Sequence, residues 1–91
     1  YFHHGGEEQV YMGSPDWMRR NLYRRIEAVT PILDKELKQE MIDMLKIQLR
    51  DNRKAVWVDE YLRNVRKFDG EAKPVQAQID FYKYLREKNL L

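Results

Sequence analysis

Ninety-one residues with 43% apolar and 35% charged side chains, no cysteine and a formal charge of +2 describe one small domain-sized unit and exclude a disulfide scaffold or a zinc ribbon. No apolar run approaches the roughly 18 residues that a membrane span needs, and nothing at the N-terminus reads as a signal peptide, so a soluble, cytoplasmic protein is expected, with peripheral membrane association as the alternative. The charge excess is local: Arg19, Arg20, Arg24 and Arg25 face only Asp16 and Glu27 between positions 16 and 27, whereas basic and acidic residues balance elsewhere, and such a cluster points to an anionic partner.

The chain opens on Tyr1-Phe2-His3-His4, as though a strand had been entered midway, which predicts a fragment of a longer protein. Tyr1 to His4 and Gln9 to Met12 read as a β-hairpin around Gly5-Gly6-Glu7-Glu8. Gly13-Ser14-Pro15-Asp16 is a turn that ends the second strand. Arg24 to Thr30 alternates Arg25, Glu27 and Val29 with Ile26, Ala28 and Thr30, a period of two that predicts a third strand, closed by Pro31. Asp34 is a good N-cap, and Leu37, Met41, Met44, Leu45 and Leu49 recur at helical spacing, so a helix is expected from Lys35 to Asp51. Ala55 to Val58 is extended, polar residues follow, and Asp69-Gly70 suits a turn. Pro74 suits the first turn of a last helix, with Val75, Ile79, Tyr82 and Leu85 as its apolar stripe and Phe81 and Tyr84 beside it. The expected class is α+β: short N-terminal strands, a long central helix and a C-terminal helix.

Few residues carry a chemical signature. Adjacent strand residues point to opposite faces, so His3 and His4 cannot converge on one ion, and no third ligand stands at a diagnostic spacing. No phosphate-cradling glycine loop, Ser-His-Asp order or H-E-x-x-H motif is present. The turn at Gly13 to Asp16 is more suggestive, because glycine permits close backbone approach to a ligand and a serine hydroxyl can donate to a phosphate oxygen. Guanidinium groups match phosphate bidentately, and on a strand Glu27 would share a face with Arg25, orienting it or helping to hold a magnesium-phosphate unit. Trp17 and Met18 are expected to pack beneath the turn. Neither a basic helix nor an RNA-binding signature follows, so no specific nucleic acid is expected.

The stretch G-S-P-D-W-M-R-R-N-L-Y-R-R-I-E over residues 13–27 resembles a motif of the polyphosphate kinase family. Phe2 with Gly5-Gly6, Pro31 to Gln39, Asp51 to Ala55 and Val75-Gln76-Ala77-Gln78 extend the likeness to the C-terminal end of that family. His4 stands where asparagine is usual, Pro15 where alanine is usual and Gln76 where arginine is usual. The family in turn resembles the phospholipase D superfamily, in which two related α/β domains face each other across the active site.

The resemblance implies that residues 1–91 form the C-terminal portion of the second phospholipase D-like domain, with strands and a phosphate-side turn in 1–30 and a mainly helical part in 31–91. It implies reversible transfer of the terminal phosphate of ATP to polyphosphate through a phosphohistidine upstream of Tyr1, with magnesium as cofactor. A second active-site histidine is also implied upstream, so this chain alone should be inactive. Arg25, Glu27, Arg20, Asn21, Ser14 and Asp16 would belong to the wall that binds phosphate and ATP, with no metal ligand among them. ATP, ADP, polyphosphate and the rest of the kinase chain are the expected partners, in a homo-oligomer. The alternative is a non-catalytic module whose arginines simply hold a polyanion.

Overall fold

The computed structural model describes residues 1–68, 70 and 72–89; the turn expected at Asp69-Gly70 falls partly outside them. The chain divides into two compact units, Tyr1–Ile42 and Asp43–Leu91.

In the first unit, Gly5 and Gly6 both have positive φ, +57° and +95°. That is the sign pattern of a type I′ turn, whose twist suits the strands it joins. β1 (Phe2–His4) and β2 (Glu7–Gln9) pair antiparallel across it, with His4 opposite Glu7 and Phe2 opposite Gln9. Glu7 and Glu8 therefore belong to a strand and not to the turn, which is shorter than expected. The Tyr1 hydroxyl donates to the Glu8 carboxylate at 2.6 Å.

β3 (Tyr11–Met12) pairs with β4 (Thr30–Pro31), Tyr11 opposite Pro31 and Met12 opposite Thr30. Between them the strand expected over Arg24 to Thr30 is not formed. Arg19–Tyr23 is a short helix, α1, and residues 24–29 are irregular. A period-two pattern makes a strand only where a partner ladder exists, and β3 offers two residues. Pro31 is itself in this ladder rather than ending it; the next N–H, of Ile32, donates to the Val10 carbonyl at 2.8 Å, so an edge proline is tolerated.

Asp34 caps the long helix as expected: its Oδ1 accepts the N–H groups of Glu36 and Leu37, both at 3.0 Å, which satisfies two of the unpaired donors of the first turn. That helix, α2, runs Lys35–Arg50. Its buried positions are Ile42, 2% exposed, and Ile47, with Met41 and Met44 half-buried and Leu37, Leu45 and Leu49 exposed. The leucine stripe read from the sequence is thus mostly not the inward face. Among the described residues, Val10 and Ile42 are the buried apolar residues of the first unit and Ile47 that of the second. Trp17, expected beneath the turn, is 92% exposed, and Met18 is exposed with it.

In the second unit β5 (Val56–Val58) pairs antiparallel with β6 (Asn64–Arg66), a strand absent from the sequence reading. Asp59 closes their connection: Oδ1 accepts the N–H groups of Tyr61 and Arg63 at 3.0 and 2.9 Å, Oδ2 takes the Arg63 guanidinium at 2.6 Å, and Leu62 adopts φ +59°. The Arg63 N–H leads the causes that hold the Asp59 carboxyl below its ordinary range. The last helix, α3, is Ala77–Glu87, so Pro74 precedes it instead of opening it. Ala77, Asp80, Phe81, Tyr84 and Leu85 are its half-buried positions, a helical i, i+3, i+4, i+7, i+8 set, while Ile79 and Tyr82 are exposed. Tyr84 donates to Asp43 Oδ2 at 2.7 Å, and burial, then that carboxylate, raises its pKa. Among the described residues, short antiparallel ladders and three helices make an α+β architecture, as expected.

Candidate functional site

The arginine-rich segment is carried by α1 and the bend after it. α1 begins at the Met18 carbonyl, which accepts the N–H groups of Asn21 and Leu22 at 2.9 and 3.0 Å, and ends where the Arg24 N–H meets the Arg20 carbonyl at 3.0 Å. Arg20 and Arg24 stand four apart, a spacing that brings helical neighbours to one side. Arg19, Arg20, Arg24 and Arg25 are all exposed. The helix, and not strand alternation, gathers the positive charge.

Asn21 differs from its neighbours in being 7% exposed. Its Nδ2 donates to the Asp16 carbonyl at 3.0 Å, which ties the turn to α1. At the other end of the turn a Cβ added to Gly13 would stand 3.2 Å from the Ala28 carbonyl oxygen and 3.1 Å from Val29 Cγ2. Here the close approach that glycine permits is to this chain's own backbone. The turn holding Ser14 and Asp16 is thus fixed by Asn21 and by segment 28–29, with both residues exposed.

Six residues were expected in one wall. Ser14 and Asp16 lie in the turn, Arg20 and Asn21 on α1, and Arg25 and Glu27 in the irregular stretch beyond it, all within the first unit. The hydrogen bond from Asn21 to the Asp16 backbone is the direct link among them. Arg25 and Glu27 do not share a strand face, because no strand forms there. Among the described residues no group of three or more His, Cys, Asp or Glu converges. The described residues do not compose a magnesium site by themselves.

Beyond its share in the family likeness, the sequence assigns no role to a buried polar pair at the end of α2. Asp51 and Asn52, 5% and 8% exposed, follow α2 directly. Asp51 Oδ1 accepts the N–H groups of Arg53, Lys54 and Ala55 at 2.9, 2.8 and 3.1 Å, and Oδ2 that of Ala77 at 2.8 Å. The Ala77 bond leads the causes that hold the Asp51 carboxyl well below the usual carboxylate range, against the opposing effect of burial. Asn52 brackets Val75: its Oδ1 accepts the Val75 N–H at 2.9 Å, its own N–H donates to the Val75 carbonyl at 3.0 Å, and Nδ2 donates to the Lys73 carbonyl at 3.1 Å. The N-cap residue of α3, Gln76, makes no side-chain cap bond. Asp51 supplies the cap from 26 residues away, and Asp80 Oδ2 accepts the Gln76 N–H at 3.1 Å. A helix-ending Asp-Asn pair before an apolar strand was the available signal.

Comparison with known proteins fits this local architecture. Residues 1–78 match the family model described as polyphosphate kinase C-terminal domain 2. Polyphosphate kinase of Salmonella typhimurium is 44% identical over 85 residues, 93% of this chain and 12% of that protein. Polyphosphate kinase of Synechocystis is 60% identical over 55 residues, 60% of this chain and 8% of that protein. The crystal structure of polyphosphate kinase from Porphyromonas gingivalis superposes with a TM-score of 0.90 at 53% identity, covering 96% of this chain and 13% of that one. The chain thus spans about an eighth of the length of such relatives, and it belongs to the polyphosphate kinase family, whose second C-terminal domain its residues 1–78 match.

Proposed function

We propose that the chain supplies part of the phosphate-binding wall of a polyphosphate kinase, which transfers the terminal phosphate of ATP reversibly to polyphosphate through a phosphohistidine outside these residues. In that reading residues 1–91 are the end of the second phospholipase D-like domain. The observation that carries it is the exposed arginine cluster of residues 19–25, held on α1 and its bend inside a chain matched to this family over residues 1–78.

Phosphoryl transfer depends mainly on positioning and on stabilising charge that develops on the transferred group. Arg25 and Arg20 are the donors for phosphate oxygens, and Glu27 orients a guanidinium. The Ser14 hydroxyl donates to a phosphate oxygen at the turn, while Asn21 and Asp16 act by keeping that turn in place. Removing one such donor costs about a hundredfold to a thousandfold in turnover where it acts on the transition state. The exposed Trp17 and Met18 are then apolar surface for the remainder of the kinase to cover.

The test is ATP-dependent polyphosphate synthesis by the full-length protein carrying Arg25→Ala or Glu27→Ala. Loss of synthesis with an unchanged circular dichroism spectrum is expected. Near-normal turnover in both variants rejects the proposal. Retained binding of polyphosphate by a wild-type protein that makes none would favour a non-catalytic polyanion module.

A further inference from the structure

The tip of the β5–β6 hairpin is braced, apolar and uncovered. Leu62 holds φ +59°, a left-handed backbone that is an outlier for a bulky side chain and that glycine or asparagine adopts with little strain. Its side chain is nonetheless 81% exposed, and that of Tyr61 beside it 70%. Among the described residues Leu62 thus has little packing to offset its backbone strain, whereas such strain persists where surrounding interactions over-determine it.

The turn that presents these side chains is tied from several sides. The Leu62 N–H donates to the Asp59 carbonyl at 3.0 Å and the Asp59 N–H to the Arg63 carbonyl at 3.4 Å, while the Asp59 carboxylate takes the N–H groups of Tyr61 and Arg63 and the Arg63 guanidinium. That guanidinium also lies 5.1 Å from the centre of the Tyr61 ring, so Arg63 braces Tyr61 while Asp59 balances its charge. The tip therefore offers two large apolar side chains and one further carboxylate, the exposed Glu60. Among the described residues β5 and β6 form a two-stranded sheet with every position exposed, and a hairpin of two strands is marginal unless something packs on it.

We propose that Tyr61 and Leu62 form a knob that seats in an apolar socket elsewhere in the full-length kinase polypeptide, with a cationic side chain at the socket's rim to meet Glu60. This chain spans 12% of the Salmonella typhimurium kinase, so in the reading of it as part of such an enzyme most of the polypeptide is available to supply the socket. A second copy of the same tip fits less well. Two tips meeting about a two-fold axis bring Glu60 against Glu60, and two side chains from each fall far short of the roughly 1,200 Å² that a stable complex buries. A socket in the same polypeptide needs no such area, because tethering raises its effective concentration. The proposal rests on the kinase reading for the existence of that remaining polypeptide and uses none of residues 14–27.

The test uses the full-length protein, comparing Leu62→Gly and Leu62→Asn with wild type by hydrogen exchange in peptides covering residues 56–66. The direction of change decides. Both substitutions relieve a left-handed backbone, so an unseated Leu62 leaves exchange unchanged or slower in the variants. A seated Leu62 loses its socket in both, and exchange should quicken about tenfold. Glu60→Lys should quicken it as well. Hydroxyl-radical labelling of Tyr61 and Leu62 in the native wild type should run several-fold slower than in the urea-unfolded protein. Unchanged or slower exchange in the Leu62 variants overturns the proposal, as does labelling of the native tip at the unfolded rate, and unchanged exchange in Glu60→Lys overturns its cationic rim. Protection that grows with protein concentration overturns it in favour of a second copy; protection that appears only with vesicles of anionic phospholipid overturns it in favour of a membrane. Because the readouts are exchange and labelling, failure of the wall at Arg25 and Glu27 to support turnover leaves them interpretable.

Discussion

Asp51→Asn is a nearly isosteric change that should loosen the start of α3. The amide oxygen can still accept from Arg53, Lys54 and Ala55, but the amide nitrogen then points a donor at the Ala77 N–H, where Oδ2 now accepts at 2.8 Å. One bond to a charged acceptor is lost, at about 1.5–3 kcal/mol, and a sheltered N–H is left without a partner, at about 1–3 kcal/mol more. A combined loss of about 3–4 kcal/mol corresponds to about a hundredfold to a thousandfold faster exchange for amides that exchange by local opening. Hydrogen exchange by mass spectrometry on the full-length protein reads it in peptides covering residues 74–82. The pH dependence has a definite sign. The folded-state pKa of Asp51 is depressed below the ordinary 3.8, so its contribution is fully present above that value and is lost as pH falls toward the folded-state value. Protection of residues 74–82, corrected for intrinsic exchange, should therefore decline below about pH 4 in the wild type and hold nearly flat in the Asn variant. Unchanged exchange in that segment at neutral pH would refute the capping role.

Two further substitutions examine the first unit. Gly6→Ala places a Cβ where no atom lies within 4 Å, so its cost is the left-handed backbone alone, about 1–2 kcal/mol; exchange across Phe2 to Gln9 should quicken several-fold, and no change would remove the type I′ assignment. Asn21→Ala deletes the bond to the Asp16 carbonyl at 3.0 Å, worth about 1 kcal/mol; exchange around residues 13–18 should rise about fivefold at that energy with helix content unchanged, and an unaltered rate would mean that the turn is fixed by Gly13 and Val29 without it.

What could be read from the sequence divides along physical lines. Asp34 and the apolar recurrence after it located α2 because capping and periodicity are local. Gly5-Gly6 located a hairpin for the same reason, since its backbone requirement is met by residue type alone. The strand expected at Arg24 to Thr30 failed because alternation needs a ladder, and β3, two residues long, offers none beyond Thr30–Pro31. On α2 the expected leucines Leu37, Leu45 and Leu49 are exposed while Ile42 and Ile47 are buried; on α3 Ile79 and Tyr82 of the expected stripe are exposed, whereas Leu85 of that stripe, with Phe81 and Tyr84 beside it, is half-buried. Trp17, expected beneath the turn, stands almost fully exposed. Asp51 and Asn52 figure in the sequence only through the family likeness of Asp51 to Ala55; their capping role is not legible there because their partners lie up to 26 residues away, and only folding brings an acidic side chain to a distant helix start. For the candidate wall, motif likeness supplied the residues and the fold supplied how the turn, α1 and the bend carry them.

The most direct measurement is the steady-state kcat/KM for ATP in polyphosphate synthesis by the full-length protein, compared among wild type, Arg25→Lys and Arg25→Ala. A guanidinium that grips phosphate oxygens in pairs is not replaced by a point charge, so both variants should fall, the alanine by about a hundredfold or more, with the fold intact by circular dichroism. An alanine variant that retains wild-type kcat/KM would contradict the assignment of residues 14–27 to the phosphate wall.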